Sequence, residues 1–469
     1  MAADRSYSNI TPQHLEALAA IVGPANLLAS AEHCERYGRD ETERLCFPPA
    51  AVALPGSTAE VSAILRLAHE ELLPVTPRGA GTGLSGGALP VHGGLVLSVE
   101  RMNRILQIDP RDLVAEVESG VTTGRLQQEA EALGLFYPPD PSSKDTCLIA
   151  GNLAEDSAGP RSCKYGSTRK FVLGLEAVRA DGEIFRSGGR NRKDVAGYNL
   201  TQLLVGSEGT LAVITAATLR LLGKPQATLA LLLPFPELDL AAGAVEAIFR
   251  HGFEPSACEL LEEGALAAVG AVMELPPQLL GHKAMLLLEL DGHDKAALLE
   301  EAGRLGALAE ELGAGEILAA EDEAEQRRLW AIRRKMGEAV KHRSVYKEAD
   351  TVVPRSKLAE LVRAAREAAG RQGIEALCYG HAGDGNLHVN LLRGGLADGE
   401  WEARRDAAEE ELFSRVCAMG GSITGEHGVG LVQRRFLPLA VGPAALELMR
   451  AVKNSFDPRG ILNPGKIFP

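Results

Sequence analysis

Between Pro77 and Gly87 the chain reads PRGAGTGLSGG, five glycines in eleven residues. Glycine takes up positive φ at no steric cost and lets a ligand approach the backbone, so such a run can turn successive N–H groups inward. A nest of that kind holds a doubly charged pyrophosphate without a lysine. A plain surface loop is the other reading of any glycine-rich run. The flanks narrow the choice. The loop follows a short apolar edge, Leu73–Thr76, and the next ordered run, Leu95–Val99, reads as a strand. A dinucleotide fingerprint needs strand, glycines and helix in that order, and a nucleotide-hydrolysing P-loop ends in Gly-Lys-Ser/Thr. Neither fits.

Around the loop the pattern alternates helix and strand. Thr11-Pro12 starts a helix that Gly23 ends, and Ser57 with Glu60 opens another through about Leu73. Strands are expected at Leu95–Val99, Ile105–Ile108 and Leu113–Val117, then a helix over 122–133. This mixture predicts an α+β domain with mixed sheets.

Two further stretches stand out. Pro138–Gly166 is expected to be a long structureless segment, rich in small, hydroxyl and amide residues; its embedded Leu148, Ile149 and Leu153 argue against disorder. Val205–Thr215, VGSEGTLAVIT, feeds a turn into a β-branched strand. Near 222–225 the composition shifts, and residues 226–372 read as a second α+β domain, with strands such as Thr228–Leu233 and Met285–Leu290. Four parts are expected: an N-terminal helical segment 1–44, a first domain 45–223, a second 224–419, and a C-terminal segment 420–469.

Tyr379–Leu392, YGHAGDGNLHVNLL, carries a hairpin signal at Asp384-Gly385. In the returning strand His388 and Asn390 share one face, opposite Leu387, Val389 and Leu391. His381 sits at the mouth of the turn and can approach His388. Two imidazoles plus a carboxylate make a divalent-metal site with open positions, and Glu426-His427, in GGSITGEHGVG, offers that carboxylate. Gly425 and Gly428 flank the pair and can aim its two side chains apart. Ordinary structural hydrogen bonding is the alternative for two histidines seven apart.

Together these stretches resemble a known family. PRGAGTGLSGG, PPDPSSKDTCLIAGN with AEDSAGPRSCKYG, and VGSEGTLAVIT are similar to the FAD-binding domain of the vanillyl-alcohol-oxidase-type flavoproteins. YGHAGDGNLH, GEHGVG and the terminal NPGKIF resemble the D-lactate/glycolate/D-2-hydroxyglutarate dehydrogenase branch, including the glycolate oxidase D-subunit. The resemblance implies an α+β fold: a two-part FAD-binding domain, an α+β cap (substrate) domain with an antiparallel sheet, and a C-terminal segment returning to the FAD domain. It places the FAD pyrophosphate on Arg78, Gly79, Ala80, Gly81, Thr82 and Gly83, with Pro77, Ser85 and Gly86 beside them. Pro139, Asp140, Thr146, Gly151, Asn152, Ser157, Gly159, Glu208, Gly209, Ile214 and Asn463 match positions that line FAD. His381, His388 and Glu426 match the ligands of a zinc or manganese ion, and His427 matches the proton acceptor. Arg333 matches a substrate-carboxylate arginine, and Asn390 is expected to hydrogen-bond the substrate. No histidine lies in the glycine loop, so the flavin is expected to be non-covalent. Asn199 stands where the family commonly has aspartate.

The implied activity is oxidation of a D-2-hydroxy acid, glycolate or D-lactate first, with hydride passing to flavin N5 and electrons to a protein or quinone acceptor. A non-catalytic FAD-bearing subunit and a flavin-free metallohydrolase are the alternatives; the second leaves the glycine loop unexplained. An iron–sulfur or electron-transfer flavoprotein partner and a homodimer are both compatible. With 49 basic against 63 acidic residues, the net charge of −14 disfavours nucleic acid and anionic membrane surfaces. No run approaches the ~20 apolar residues of a membrane span. Seven scattered cysteines without a CxxC pair argue against a disulfide scaffold or an iron–sulfur cluster on this chain. MAADRSYSNI lacks the regions of a signal peptide, so a cytoplasmic location is expected.

Overall fold

Residues 6–42 and 44–469 of this computed structural model are described. They divide into two units, each with its own core. The first takes the chain up to Ala158, Ser167–Lys224 and Glu426–Pro469; the second takes Gly159–Gly166 and Pro225–Gly425. The four-part reading differs at three places. The N-terminal helix Pro12–Val22 is no separate segment, because Leu18 and Val22 are buried in the first unit's core. The late boundary falls at Gly425/Glu426, because Ser422 pairs with Val352 and holds the preceding residues in the second unit. Residues 159–166 join the second unit because Arg161 and Lys164 pair with Glu289 and Asp291 there.

In the first unit, strand Leu95–Ser98 lies between parallel strands Ala51–Ala53 and Val75–Arg78, with Leu27–Leu28 antiparallel at the outer edge. Helix Thr58–Glu71, capped by Ser57, buries Val61, Ile64, Leu65 and Ala68 against this sheet, each large apolar side chain contributing about 1.5–3 kcal/mol. The far end of the chain completes the edge: Val75 donates to the Ile461 carbonyl, and Asn463 donates to Val75. That pairing puts Asn463 at the root of the glycine loop. A second sheet is wholly antiparallel, in the order 105–109, 114–118, 213–220, 172–178, 184–188. Asn199 caps the short helix Leu200–Leu204 by accepting from the Gln202 amide, work that an aspartate does equally well.

The stretch expected to be structureless contains helices Ile149–Glu155 and Ser162–Tyr165. With seven and four residues they are too short to show a period, and neither has a side-chain cap.

The second unit is built on a seven-stranded antiparallel sheet in the order 318–320, 227–235, 284–292, 257–262, 375–380, 386–392, 346–352. Helix Leu358–Arg371 lays Leu358, Leu361, Val362, Ala365 and Ala369 inward, on the 3.6-residue period. Among the described residues no helix is long and apolar enough to cross a membrane.

Candidate active site

Strand Glu375–Gly380 ends in one 3-10 turn, Ala382–Asp384, and returns as Asn386–Leu392. Gly385 closes the turn at φ +76, and a Cβ there would lie 2.0 Å from the Val353 carbonyl oxygen, so only glycine fits. The register sets Tyr379 opposite His388 and Leu377 opposite Asn390. The rings of His381 and His388 accordingly meet edge to face, 5.3 Å apart and both buried.

A carboxylate that the sequence reading missed lies beside them. Leu260 pairs with Gly380, which brings Glu259 to His381: Nδ1 and Oε1 are 2.6 Å apart. The other oxygen, Oε2, accepts from Arg333 Nε at 2.6 Å. Arg333 comes from the last turn of helix Glu323–Arg334, and its guanidinium lies 5.0 Å over the Tyr379 ring. Burial pushes the Glu259 carboxyl up, but the charges of His381 and Arg333 outweigh it and hold the group down at about 2. One signal was available: ACELLE puts an acid inside an apolar strand, and a buried carboxylate needs partners. His388 Nδ1 lies 3.8 Å from Glu348 and 3.9 Å from Asp350. Asn390 is fully buried two residues on, with its amide beside the Tyr379 hydroxyl.

The backbone of the Glu426-His427 turn is held by two more carboxylates. Asp350 accepts from the Thr424 hydroxyl at 2.9 Å and the Gly425 amide at 2.8 Å, fixing the chain immediately before Glu426. In the first unit, Glu208 accepts from the Val429 amide at 2.8 Å and the Gly430 amide at 2.6 Å. Glu208 does this from φ +51, a conformation that non-glycine residues rarely adopt. Asn463 donates through Nδ2 to the carbonyls of Gly87 and Glu208 at 2.9 and 2.8 Å. Both residues are expected to line the cofactor, and their side chains brace the loop and the turn. The glycines do not send Glu426 and His427 apart as expected: Oε1 and Nε2 are 3.7 Å from each other.

Behind the turn Glu155 and Glu208 interact, and burial, Glu208 and Asp40 push the Glu155 carboxyl well above its usual range. Gly428, at φ +78, passes over it; a Cβ there would lie 2.1 Å from Glu155 Oε2. A carboxyl whose folded pKa is raised contributes stability below the unfolded value, and that contribution is lost as pH rises through the folded value. Glu155→Gln keeps the shape without the charge. Urea unfolding from about pH 5 to about pH 9 should show wild type losing about 1–3 kcal/mol relative to the variant. Parallel pH dependences would remove this account.

The glycine loop fits an anionic pyrophosphate on its own chemistry. Arg78 is buried at its start, facing the Tyr37 ring at 5.6 Å, and its Nη1 has no hydrogen-bond partner among the described residues. Among the described residues nothing lies within 4 Å of where a Cβ would stand on Gly83 or Gly151, so the backbone there is open. A Cβ at Gly79 would lie 3.4 Å from the Gly151 nitrogen, and one at Gly209 would lie 3.4 Å from Pro77 Cγ. Asn152 is buried, donating to the Thr123 hydroxyl at 2.6 Å, while Gln127 donates to the Pro139 carbonyl at 2.8 Å. Ile214 is buried in strand Val213–Arg220, and the Ser157 carbonyl accepts from the Thr168 amide at 3.0 Å. Thr146 is exposed, with its hydroxyl on the Ser143 carbonyl. Gly159, at φ +148, falls in the second unit.

Residues 49–188 match a family described as FAD binding domain, and residues 224–467 match one described as FAD linked oxidases, C-terminal domain. The chain belongs to the FAD-linked oxidases. Among its relatives, the glycolate oxidase subunit GlcD of Bacillus subtilis (strain 168) is 40% identical, over 98% of this chain and 97% of that protein. A D-lactate dehydrogenase of Archaeoglobus fulgidus is 40% identical over 92% of this chain and 95% of its own length. A crystal structure of p-cresol methylhydroxylase with substrate bound shares the fold at TM-score 0.81, covering 98% of each chain at 18% identity. The fold is thus the vanillyl-alcohol-oxidase type. The FAD-domain match argues against a flavin-free hydrolase.

Proposed function

We propose that this protein oxidises a small D-2-hydroxy acid, glycolate or D-lactate, to the 2-oxo acid. The observation that carries the reading is the buried chain of contacts Arg333–Glu259–His381–His388. It sets a guanidinium, suited to a carboxylate, close to two imidazoles, suited to a metal. Full-length similarity to a glycolate oxidase subunit and a D-lactate dehydrogenase supports the same substrate class.

FAD, when bound, supplies the hydride acceptor that no side chain offers. A zinc or manganese ion, when held by His381, His388 and Glu426, supplies a Lewis acid for the substrate hydroxyl. Within the protein, the Arg333 guanidinium binds the substrate carboxylate, with Nε as the nitrogen anchored to Glu259. An imidazole nitrogen of His427 takes the hydroxyl proton, acting as general base. Asn390 hydrogen-bonds the substrate from the strand face it shares with His388. Electrons leave to a protein or quinone acceptor, and the naming of one relative as a subunit supports a protein partner.

The purified protein should be yellow and release intact FAD on denaturation. Under anaerobic conditions, glycolate or D-lactate should bleach the colour. A colourless protein that cannot be reconstituted with FAD would overturn the reading. A yellow protein that neither acid reduces would exclude this substrate choice.

A further inference from the structure

Glu259 is a buried acid whose part in the steps above is confined to anchoring Arg333. It lies in strand Ala257–Glu262, every residue of which is buried, and its side chain is 0% exposed. Both carboxylate oxygens are engaged, one by His381 Nδ1 and the other by Arg333 Nε, each at 2.6 Å. A buried ionic cluster is rarely kept for stability alone, because desolvation offsets most of the attraction and apolar packing does as well. These contacts do something that packing cannot. A carboxylate accepting from Nδ1 holds the imidazole proton on that nitrogen and leaves the lone pair on Nε2. The same carboxylate ties the guanidinium to the ring, and Tyr379 beneath the guanidinium limits its tilt.

We propose that Glu259 is a positioning residue, fixing the His381 tautomer with Nε2 as the ligating nitrogen and setting the spacing between His381 and Arg333. The inference rests on the reading of His381 as a metal ligand and Arg333 as the substrate-carboxylate residue. It goes beyond that reading in stating what makes the two act as a matched pair. A hydroxy acid held at the hydroxyl by one and at the carboxylate by the other needs that spacing to stay constant.

The test is Glu259→Gln in the full-length FAD-loaded protein, compared with wild type by two readouts. The first is the nitrogen-15 shift of labelled His381 in metal-free protein, read at a pH where the ring carries a single proton. Wild type should carry its proton on Nδ1, and the variant should shift toward the Nε2-protonated form, since the glutamine amide can donate. The second is titration with Mn²⁺ or Zn²⁺ alone. The variant should bind about 10- to 100-fold more weakly, with FAD content unchanged. His381 protonated on Nε2 in wild type, or equal metal affinity in the two proteins, would overturn the proposal. Wild type that binds no metal yet shows the Nδ1 tautomer, shifted in the variant, would end the metal reading and leave the tautomer assignment standing.

Discussion

Replacing His427 by alanine is expected to slow reduction of the flavin by hydroxy acid ~10²–10⁴-fold, while FAD and a divalent metal remain bound. Backbone hydrogen bonds hold the turn that carries the imidazole. Backbone amides at 425, 429 and 430 hold that turn through Asp350 and Glu208, and none of these bonds uses the imidazole. The acid limb of the pH–rate profile should go with the imidazole, since a general base must be unprotonated to act. Glu426→Gln is the companion variant. The Glu426 carboxylate lies 3.7 Å from His427 Nε2. The glutamine should weaken metal binding, whereas His427→Ala should abolish the limb with metal affinity intact. Stopped-flow reduction of metal-loaded, anaerobic His427→Ala decides the matter. A rate near wild type would place the base elsewhere.

The parts of the fold that obey local rules were legible in the sequence. Asp384-Gly385 marks a turn because a left-handed residue is needed there, and period two puts His388 and Asn390 on one face. The glycine loop was readable for the same reason, since its spacing excludes the two commoner phosphate loops. What escaped was the choice of long-range partner. Glu259 and His381 are separated by 122 residues, and Glu208 and Gly430 by 222. No local period records which of several acids will meet which amide or imidazole. Glu208 shows the consequence. Its turn motif was read correctly as a turn, yet its carboxylate braces the later glycine turn, a role visible only once the chain has closed. Helix Ile149–Glu155 escaped for a different reason: seven residues span two turns, too few for an apolar stripe.

Removing the divalent cation is expected to cut turnover by several kcal/mol of barrier, on the order of 10³-fold, and to leave FAD in place. The two histidines and the pyrophosphate loop stand on separate cores. His381 and His388 stand on the second unit's sheet, whose core is built from residues such as Leu261, Leu287, Leu377 and Tyr379. Arg78 and the glycines open from the first unit's sheet, packed by Ile64, Leu65, Val75 and Leu97. Two imidazole nitrogens and a carboxylate suit zinc and manganese alike, so either ion should restore turnover when added back. His388→Ala should behave like the chelated enzyme, yellow and slow, and added metal should not rescue it. Two measurements on one sample settle the point: metal content by elemental analysis, and the rate of flavin bleaching by glycolate or D-lactate. Metal-free enzyme bleaching at the wild-type rate would strip His381, His388 and Glu426 of their proposed role.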